Sequence, residues 1–445
     1  MEYYIYLLQI FGGGNPKIHE VIKAYGNARL AYEHISSGDM SHIPSNRHEY
    51  VRRASLERSK VIMDYCAGNN IGIVTIDDRN YPEQLKNIYN PPVLLFTAGD
   101  INCLQGKLAV SIVGPRKPFG NAIRLAENIC YNLARSDIVL VSGFALGIDR
   151  IAHNNSIRHS KPTVAVLACG ITIDYPNNSF GLRKNIIDNG GLILSELLPD
   201  TPCNSDYFKF RNRIISGLSK GTVVIGGYNG SGSLITANHA FEQDREVFFT
   251  IPDDTLDKKY SRVIRFLRDG AHSVYDFYDI INEFYTDVNR QVKGFKAEYF
   301  KNKTLSGQPE VVRTESSVDY DWGYGAPLDG FLTDGFSVRW TACYVPQADG
   351  QLKLHIGGDD GYRLFVNDKH ITGDWGNHSY SSREVELPVE GGKEYRFRIE
   401  FFDNISSAII RFNAYSLNEA KLRQGLAKVD NVVFCTGFNS NTEGE

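Results

Sequence analysis

Three patterns of apolar residues follow one another along the chain. In residues 1–90, stretches such as YYIYLLQIF and HEVIKAYGNARLAYEHI have roughly helical spacing, which predicts a small helical N-terminal domain. In residues 91–285, nearly continuous apolar runs such as LAVSIVG and TVAVLACG alternate with amphipathic segments such as NAIRLAENICYNLARS. This alternation predicts buried parallel strands joined by helical crossovers, and hence a doubly wound α/β sheet.

The pattern changes again after residue 285. We expect residues 286–293 to be a linker or fusion junction, because the periodicity changes there. Residues 294–418 contain alternating segments such as QLKLHIGG and EYRFRIEFF between Gly, Asp and Asn turns, which predicts an antiparallel β-sandwich. Residues 419–445 give one helix and one lone strand with no sheet to join, so we expect a truncated fragment there.

Length and charge narrow the class of protein. A chain of 445 residues predicts two or three domains, and 42% hydrophobic with 22% charged residues is typical of globular protein. Residues 300–445 hold 15 Lys and Arg against 21 Asp and Glu, whereas the rest of the chain holds 33 against 31. Because neither part is strongly basic, nucleic-acid binding would need a local patch of cations.

Cysteine usage and hydropathy bear on the compartment. The 7 cysteines are scattered and form no C-x-x-C pair, which argues against a disulfide framework or a structural zinc site. The apolar N-terminus has no basic segment before it, and no stretch is long enough to span a membrane. We therefore expect a cytoplasmic protein with no membrane partner and no cofactor.

Three loops that should follow parallel strands are rich in glycine: GPRKPFG (114–120), SGFALGID (142–149) and GGYNGSGS (226–233). Glycine lets a ligand approach the backbone, and the next helix N-terminus offers N–H groups to an anion. No dinucleotide or P-loop fingerprint is present, so each loop alone is equally typical of a tight turn. Together they favour a phosphate-binding rim with candidate residues Arg116, Ser142, Gly143, Gly147, Gly230, Ser231, Gly232 and Ser233.

The stretch FKFRNRIISGLSKG (208–221) interleaves cations with aromatic residues where a helix is expected to begin. A cation at a helix N-terminus opposes the helix dipole, so its presence there needs a reason. One interpretation is a solvated turn with a phenylalanine anchored in the core, and the other is a phosphate clamp with aromatic rings for base stacking. The candidate residues are Phe208, Lys209, Arg211, Asn212 and Arg213.

Candidate catalytic groups are few. Asp149 and His153 are one helical turn apart, but a surface or capping pair explains that spacing more often than acid–base chemistry. Ser142 and Ser233 have no evident base. We therefore assign no catalytic residue and expect a protein that is not an enzyme.

The motifs IVGPRK, VSGFALGID, RIAH, VAVLACGI, LSE, RNRIISGLS and GSGSLITANHAFEQDREVF, in this order, resemble the DNA-processing family DprA, also called Smf. The resemblance covers about residues 3–285. It implies an extended Rossmann-like fold that binds single-stranded DNA without sequence preference and delivers it to the RecA recombinase during natural transformation. Members commonly form homodimers and are not known as enzymes.

The resemblance also implies roles for particular residues. Arg116, Arg211 and Arg213 would contact phosphates, and Phe208 would lie near a base. The loops Ser142–Gly147 and Gly230–Ser233 would line the pocket.

The chain departs from the family pattern at two positions. The family's first motif usually contains G-S-R followed by a few residues and Y-G, whereas here Pro115 follows the glycine and the loop is shorter. Lys209 stands where the family often has proline. The added cation should favour phosphate binding.

The segments GFKAEYFKNKTLSGQP, DYDWGYGAPLDG and QLKLHIGGDDGYRLFVNDKHITGDWG resemble the protective-antigen-type sandwich (PA-14) found within family-three glycoside hydrolases. The resemblance covers about residues 294–445, with VVFCTGFNSNTEGE similar to the resumed hydrolase domain. It implies a carbohydrate-binding sandwich but supplies no glycosidase nucleophile or acid.

Some members of this sandwich family bind calcium and sugar through paired aspartates, here Asp359 and Asp360. A polar D-D-G hairpin turn is the commoner explanation for such a pair. Trp322, Trp340 and Trp375 could be sugar platforms, yet core packing is expected for at least two of them.

The sequence thus predicts a single-stranded DNA-binding mediator joined to a carbohydrate-binding sandwich. Two alternatives stay open: a nucleotide-binding enzyme with a Rossmann-like fold, and a glycan-binding fragment of a family-three glycoside hydrolase.

Overall fold

The computed structural model describes residues 1–136, 138–287, 294–346 and 349–417. The chain divides into two compact units, Met1–Ile280 and Ile281–Glu445. Residues 288–293 of the expected linker and the expected fragment 419–445 lie outside the described residues. Within those described ranges, no helix is long and apolar enough to cross a membrane.

The first unit begins with a helical region. Its helices are α1 Glu2–Phe11, α2 Lys17–Tyr25, α3 Ala28–Ser36, α4 His48–Arg53 and α5 Leu56–Gly68, with a 3₁₀ turn at Ser45–Arg47. Helix α1 is buried over most of its surface because α3, α4 and α5 pack around it. The expected boundary at residue 90 is too late, since Gly72 already begins the first strand of the sheet.

A nine-stranded sheet forms the rest of the first unit. Its strands are β1 Gly72–Thr75, β2 Leu94–Gly99, β3 Ala109–Val113, β4 Val139–Ser142, β5 Thr163–Val166, β6 Leu192–Ser195, β7 Gly221–Val224, β8 Glu246–Thr250 and β9 His272–Val274. The connecting helices are α6 Glu83–Lys86, α7 Gly120–Arg135, α8 Ile148–Arg158, α9 Phe180–Asp188, α10 Ser205–Gly217, α11 Ser233–Glu242 and α12 Ser261–Arg268, and α13 Tyr278–Phe284 follows β9. Short 3₁₀ turns lie at Ile101–Leu104 and Lys258–Tyr260.

The strand order is β1-β2-β6-β5-β4-β3-β7-β8-β9. In this order, every pair of neighbours from β6 to β9 is parallel. Strand β2 pairs antiparallel with β6, and β1 pairs antiparallel with β2. Val141, Val164, Leu194 and Phe249 are completely buried in the core, as expected for parallel strands covered on both faces. The Rossmann-like α/β prediction is confirmed.

The direction of winding reverses beside β3. The chain places β4, β5 and β6 on one side of β3, then returns to place β7, β8 and β9 on the other. Strands β3 and β7 are parallel neighbours, so the loops that follow them lie at the same edge of the sheet. A crevice at such a switch point is where open α/β sheets bind ligands.

The second unit contains two antiparallel sheets. A five-stranded sheet has the order β10-β20-β15-β18, with β13 paired to β20, and a six-stranded sheet has the order β12-β11-β14-β19-β16-β17. The strands are β10 Tyr285–Asp287, β11 Phe295–Phe300, β12 Val311–Glu315, β13 Val318–Gly323, β14 Ser337–Tyr344, β15 Gly350–Asp359, β16 Gly361–Val366, β17 Lys369–Asp374, β18 Ser381–Val389, β19 Tyr395–Phe402 and β20 Ala408–Leu417.

Aromatic side chains from both sheets form the core of the second unit. Phe295 and Phe397 of the six-stranded sheet contact Phe412 of the other sheet, with ring centroids 6.3 and 5.7 Å apart. The predicted sandwich is confirmed. The linker prediction is wrong for residues 286–287, which pair with β20 as part of β10.

A buried ion pair holds α10 against the sheet of the first unit. Arg213 donates from Nη1 and Nη2 to the two carboxylate oxygens of Glu196, each at 2.7 Å, and from Nε to the Asn90 carbonyl at 2.9 Å. Both charged side chains are only 6% exposed. A Cβ added at Gly13 would lie 2.4 Å from the Glu196 carbonyl oxygen, so the helical region also packs on this point.

We expect Arg213→Ala to lower the free energy of unfolding of the first unit by about 3–5 kcal/mol, because Glu196 would stay buried without its counter-ion. Denaturant unfolding monitored by the helical circular dichroism signal measures this. Tryptophan fluorescence is the internal reference, since all 3 tryptophans lie in the second unit.

The matched control is Lys209→Ala on the same helix, which removes only an exposed pair with Asp206. It should leave the unfolding midpoint nearly unchanged. An Arg213→Ala protein as stable as this control would contradict the structural role of the ion pair.

Candidate nucleic-acid interface

A cavity of about 430 Å³ lies at the switch point of the first unit. Its walls include residues 113–117 at the end of β3 and just after it, Ala145 and Asp149 after β4, Tyr228 and residues 230–233 after β7, and one face of α10. The structure therefore brings together all three glycine-rich loops and the FKFRNR stretch. Helices α7 and α11 begin just beyond these loops, so their N-termini point towards the same edge.

Helix α10 begins earlier than the sequence analysis expected. Asn204 caps it, with its Oδ1 accepting from the Asp206 backbone N–H at 3.1 Å, so α10 starts at Ser205. The prediction that the cations stand at the helix start is wrong, and they lie in its middle. Helical spacing then directs Phe208, Arg211, Asn212 and Ile215 towards the cavity, where the sequence pattern had suggested strict alternation.

Arg211 forms the floor of the cavity. This residue is only 5% exposed. Its Nη1 donates to the Gly143 carbonyl at 2.6 Å and to the Val166 carbonyl, and its Nε donates to Asn212 Oδ1 at 3.1 Å. A Cβ at Gly143 would lie 2.6 Å from Nη2, so glycine is required there. Burial lowers the pKa of Arg211 to about 10, which still leaves it charged at neutral pH.

Arg213 and Lys209 lie outside this cavity. Arg213 does not line the cavity and is held by Glu196, so the structure gives it a packing contact there, while the phosphate contact that the resemblance implies stays a prediction. Lys209 is exposed and pairs with Asp206 at 3.1 Å. It lines a second cavity on the other side of Phe208.

Arg116 and Lys117 stand exposed at the mouth of the cavity. The Arg116 guanidinium carbon lies 4.5 Å from the centroid of the Phe208 ring, and that of Arg211 lies 5.7 Å from the same ring. The half-buried ring is thus close to one exposed cation and one buried cation. Among the residues that the structure describes, the cavity lining holds three cations, Arg116, Lys117 and Arg211, but only one carboxylate, that of Asp149.

The loop at 142–149 supports the cavity from behind. Ser142 is fully buried and donates to the Ile112 carbonyl at 2.6 Å. Gly147 has φ 77°, and an added Cβ would lie 2.4 Å from the Pro115 carbonyl oxygen. Ser142, Gly143 and Gly147 therefore shape the neighbouring loop and Arg211, while this loop lines the cavity through Ala145 and Asp149.

The loop at Gly230–Ser233 lines the cavity with all four of its residues. Space is open around a Cβ added at Gly230 or Gly232, so a ligand can approach the backbone there. Asn212 Nδ2 donates to the Gly232 carbonyl at 3.3 Å, which fixes the loop to α10.

Asp149 and His153 are buried in α8 and are not the surface pair that the sequence suggested. Burial raises the pKa of Asp149, against the opposing effect of Arg211, and burial lowers the pKa of His153 to about 3. His153 Nδ1 bonds Thr163 Oγ1 at 2.9 Å. A neutral histidine directed into the core has no access to a substrate in the cavity.

Sequence reasoning missed several lining residues. Lys117 and Tyr228 line the first cavity, and Tyr175 and Cys203 line the second. Lys117 could have been found from its place beside Arg116. Tyr175 and Cys203 come from other loops, and only the folded chain brings them to Phe208.

A separate acidic cluster occurs in the second unit. Asp360 accepts from the backbone N–H groups of His378 at 3.2 Å and Asn404 at 2.8 Å. Asp403 is fully buried, and within the described part of the chain neither of its carboxylate oxygens has a hydrogen bond of normal geometry, although the Gly335 backbone N–H lies close enough to lower the pKa. Burial, together with Asp360, Asp334 and Asp359, raises the pKa of Asp403 to about 7.

The three tryptophans differ in exposure. Trp340 is fully buried and donates to Glu315 at 2.6 Å, and Trp322 packs against the core, as expected for two of the three. Trp375 is 36% exposed, but the Arg363 guanidinium carbon already lies 4.0 Å from its ring centroid.

Comparison with known proteins agrees with this architecture. Residues 72–285 match the family model of DNA recombination-mediator protein A. DNA processing protein DprA of Bacillus subtilis is 37% identical over 213 residues, 48% of this chain and 71% of that protein. DprA of Streptococcus pneumoniae is 32% identical over 286 residues, 64% of this chain and 98% of that protein.

The X-ray structure of the S. pneumoniae protein superimposes with a TM-score of 0.53 and 29% identity, covering 64% of this chain and 98% of that one. Residues 291–425 match the PA14 domain model. The chain therefore belongs to the DprA/Smf family of DNA recombination-mediator proteins and carries a PA14 domain after its family-specific region.

Proposed function

We propose that the chain binds single-stranded DNA at the switch-point cavity. The observation that carries this proposal is the closeness of the Phe208 ring to the guanidinium groups of Arg116 and Arg211, beside the Gly230–Ser233 loop, which has open space around its glycines. Cations and N–H groups suit phosphates, while an aromatic ring suits an unpaired base.

The dimensions favour a single strand over a duplex. A cavity of about 430 Å³ can admit a nucleotide but not a base pair within its duplex. None of the proposed contacts depends on base identity, because backbone N–H groups, cations and a stacking ring accept any nucleotide. We therefore propose binding without sequence preference.

Each cation has its own role in this proposal. Arg116 and Lys117 contact phosphates, since both are exposed and on a glycine-rich loop. Arg211 adds positive potential from the floor while its hydrogen bonds hold the ends of β4 and β5. Arg213 keeps α10 in place.

Membership of a recombination-mediator family supports a wider proposal. The bound strand is passed to the RecA recombinase, as the family resemblance implies, and a homodimer is the expected acting form. Transfer to RecA and formation of a homodimer both remain predictions.

We expect Arg116→Ala to weaken binding of a fluorescently labelled oligothymidylate and to reduce the slope of log affinity against log salt by about 1, because one phosphate contact is lost. Fluorescence anisotropy over a salt series measures both quantities. Arg58→Ala, an exposed arginine on α5, is the matched control and should behave like the unchanged protein.

The same titration distinguishes a single-strand site from a duplex site and from the nucleotide-binding enzyme. Equal affinity for the matching duplex would contradict a single-strand site. No DNA binding by a folded protein, combined with turnover of a nucleotide in the same cavity, would favour the nucleotide-binding enzyme instead.

We propose calcium-dependent glycan binding as a second function, placed in the PA14 domain. The observation that favours it is the buried Asp403 carboxylate, which has no hydrogen bond of normal geometry among the described residues and lies near the carboxylates of Asp359 and Asp360. Carboxylate oxygens are the ligands that Ca²⁺ prefers, and a cation here would offset the cost of burying Asp403.

Calcium binding should strengthen by about tenfold from pH 6 to pH 8, because the ion must displace the proton that Asp403 holds up to about pH 7. Isothermal titration calorimetry of the full chain with CaCl₂ at both pH values measures the calcium affinity. Asp403→Asn should abolish the binding, whereas Asp329→Asn, at an exposed aspartate, should not. Unchanged calcium affinity in Asp403→Asn would contradict the site.

A further inference from the structure

A second cavity, of about 540 Å³, lies next to the proposed DNA site in the first unit. It shares five lining residues with the first cavity, so the two cavities adjoin: Arg116, Phe208, Asn212, Gly230 and Gly232. A ligand that occupied both would pass across Phe208 and beneath Arg116.

The far wall of the second cavity is aromatic and rigid. The Tyr175 ring lies 5.7 Å from the Phe208 ring at an interplanar angle of 66°. The backbone that carries Tyr175 is held by buried Arg183, which donates to the carbonyls of Ile171 and Ile173 at 2.6 Å and of Tyr175 at 3.3 Å. Because Arg183 fixes three carbonyls of one loop, Tyr175 is positioned before any ligand arrives.

The rest of the wall suits an anion. It contains Asn204, which caps α10, and the first turn of that 13-residue helix opens onto it. Lys209 adds a cation at the rim, where it pairs with exposed Asp206, and among the described lining residues themselves no carboxylate is present. Cys203 also lines the cavity, and burial raises the pKa of its thiol.

We propose that this second cavity binds the neighbouring nucleotide of the same DNA strand. One base contacts Phe208 from the first cavity, the next contacts Tyr175 in the second, and Arg116 binds the phosphate between them. Lys209 and the N-terminus of α10 receive the following phosphate. This inference rests on the proposed single-strand function and adds a second base subsite to it.

The test uses the full chain and an oligothymidylate of fifteen nucleotides. We expect saturating oligonucleotide to slow alkylation of Cys203 by N-ethylmaleimide about tenfold or more, measured by mass spectrometry of the Cys203 peptide. Exposed Cys343 in the second unit is the internal reference and should react at an unchanged rate.

Affinity gives an independent readout. Tyr175→Ala should weaken binding about tenfold, as loss of one stacked base predicts, whereas Tyr175→Phe should retain the affinity. Tyr89→Ala, at an 82% exposed tyrosine of the same unit, is the matched control and should bind like the unchanged protein.

The outcomes distinguish this inference from the proposed function. If the unchanged protein fails to bind the oligonucleotide, the single-strand function itself is wrong. If it binds, yet Cys203 reacts at the same rate and Tyr175→Ala binds equally well, the second subsite is wrong and the first cavity acts alone. If Tyr175→Ala does not fold, protection of Cys203 in the unchanged protein decides the matter.

Discussion

Two buried arginines on one helix are the constraint on which the proposed nucleic-acid interface depends. Arg213 is bound to Glu196 and to the carbonyl of Asn90, while Arg211 is bound to the carbonyls at the ends of β4 and β5. A buried guanidinium is tolerated only when its donors are satisfied, so α10 has one position on the sheet. Phe208 on its outer side is thereby presented to the switch-point cavity in a fixed geometry.

The sequence was sufficient to locate the interface because strong apolar runs define the parallel strands, and the loops at 114–120 and 226–233 follow two of them. It was insufficient to assign the cations. Which of Arg211 and Arg213 faces the cavity depends on how α10 is placed on the sheet, and the capping signal at Asn204 would have moved the predicted helix start to Ser205. The contribution of Tyr175 depends on tertiary packing, for which the sequence has no local signal.

The two units have opposite ligand chemistry. The first places Arg116, Lys117 and Arg211 at one cavity, whereas the second gathers carboxylates around Asp360 and Asp403. This difference agrees with the acidic balance of residues 300–445. An acidic unit repels a polyanion, so DNA affinity of the full chain should come from the first unit.

Hydrogen–deuterium exchange of the full chain, with and without a saturating oligothymidylate, tests the central claim most directly. The account predicts slower amide exchange in residues 114–120 and 228–233, at the ends of β3 and β7, and no change in the second unit. Protection confined to other surfaces, with these two loops unchanged, would contradict the switch-point cavity as the site of DNA binding.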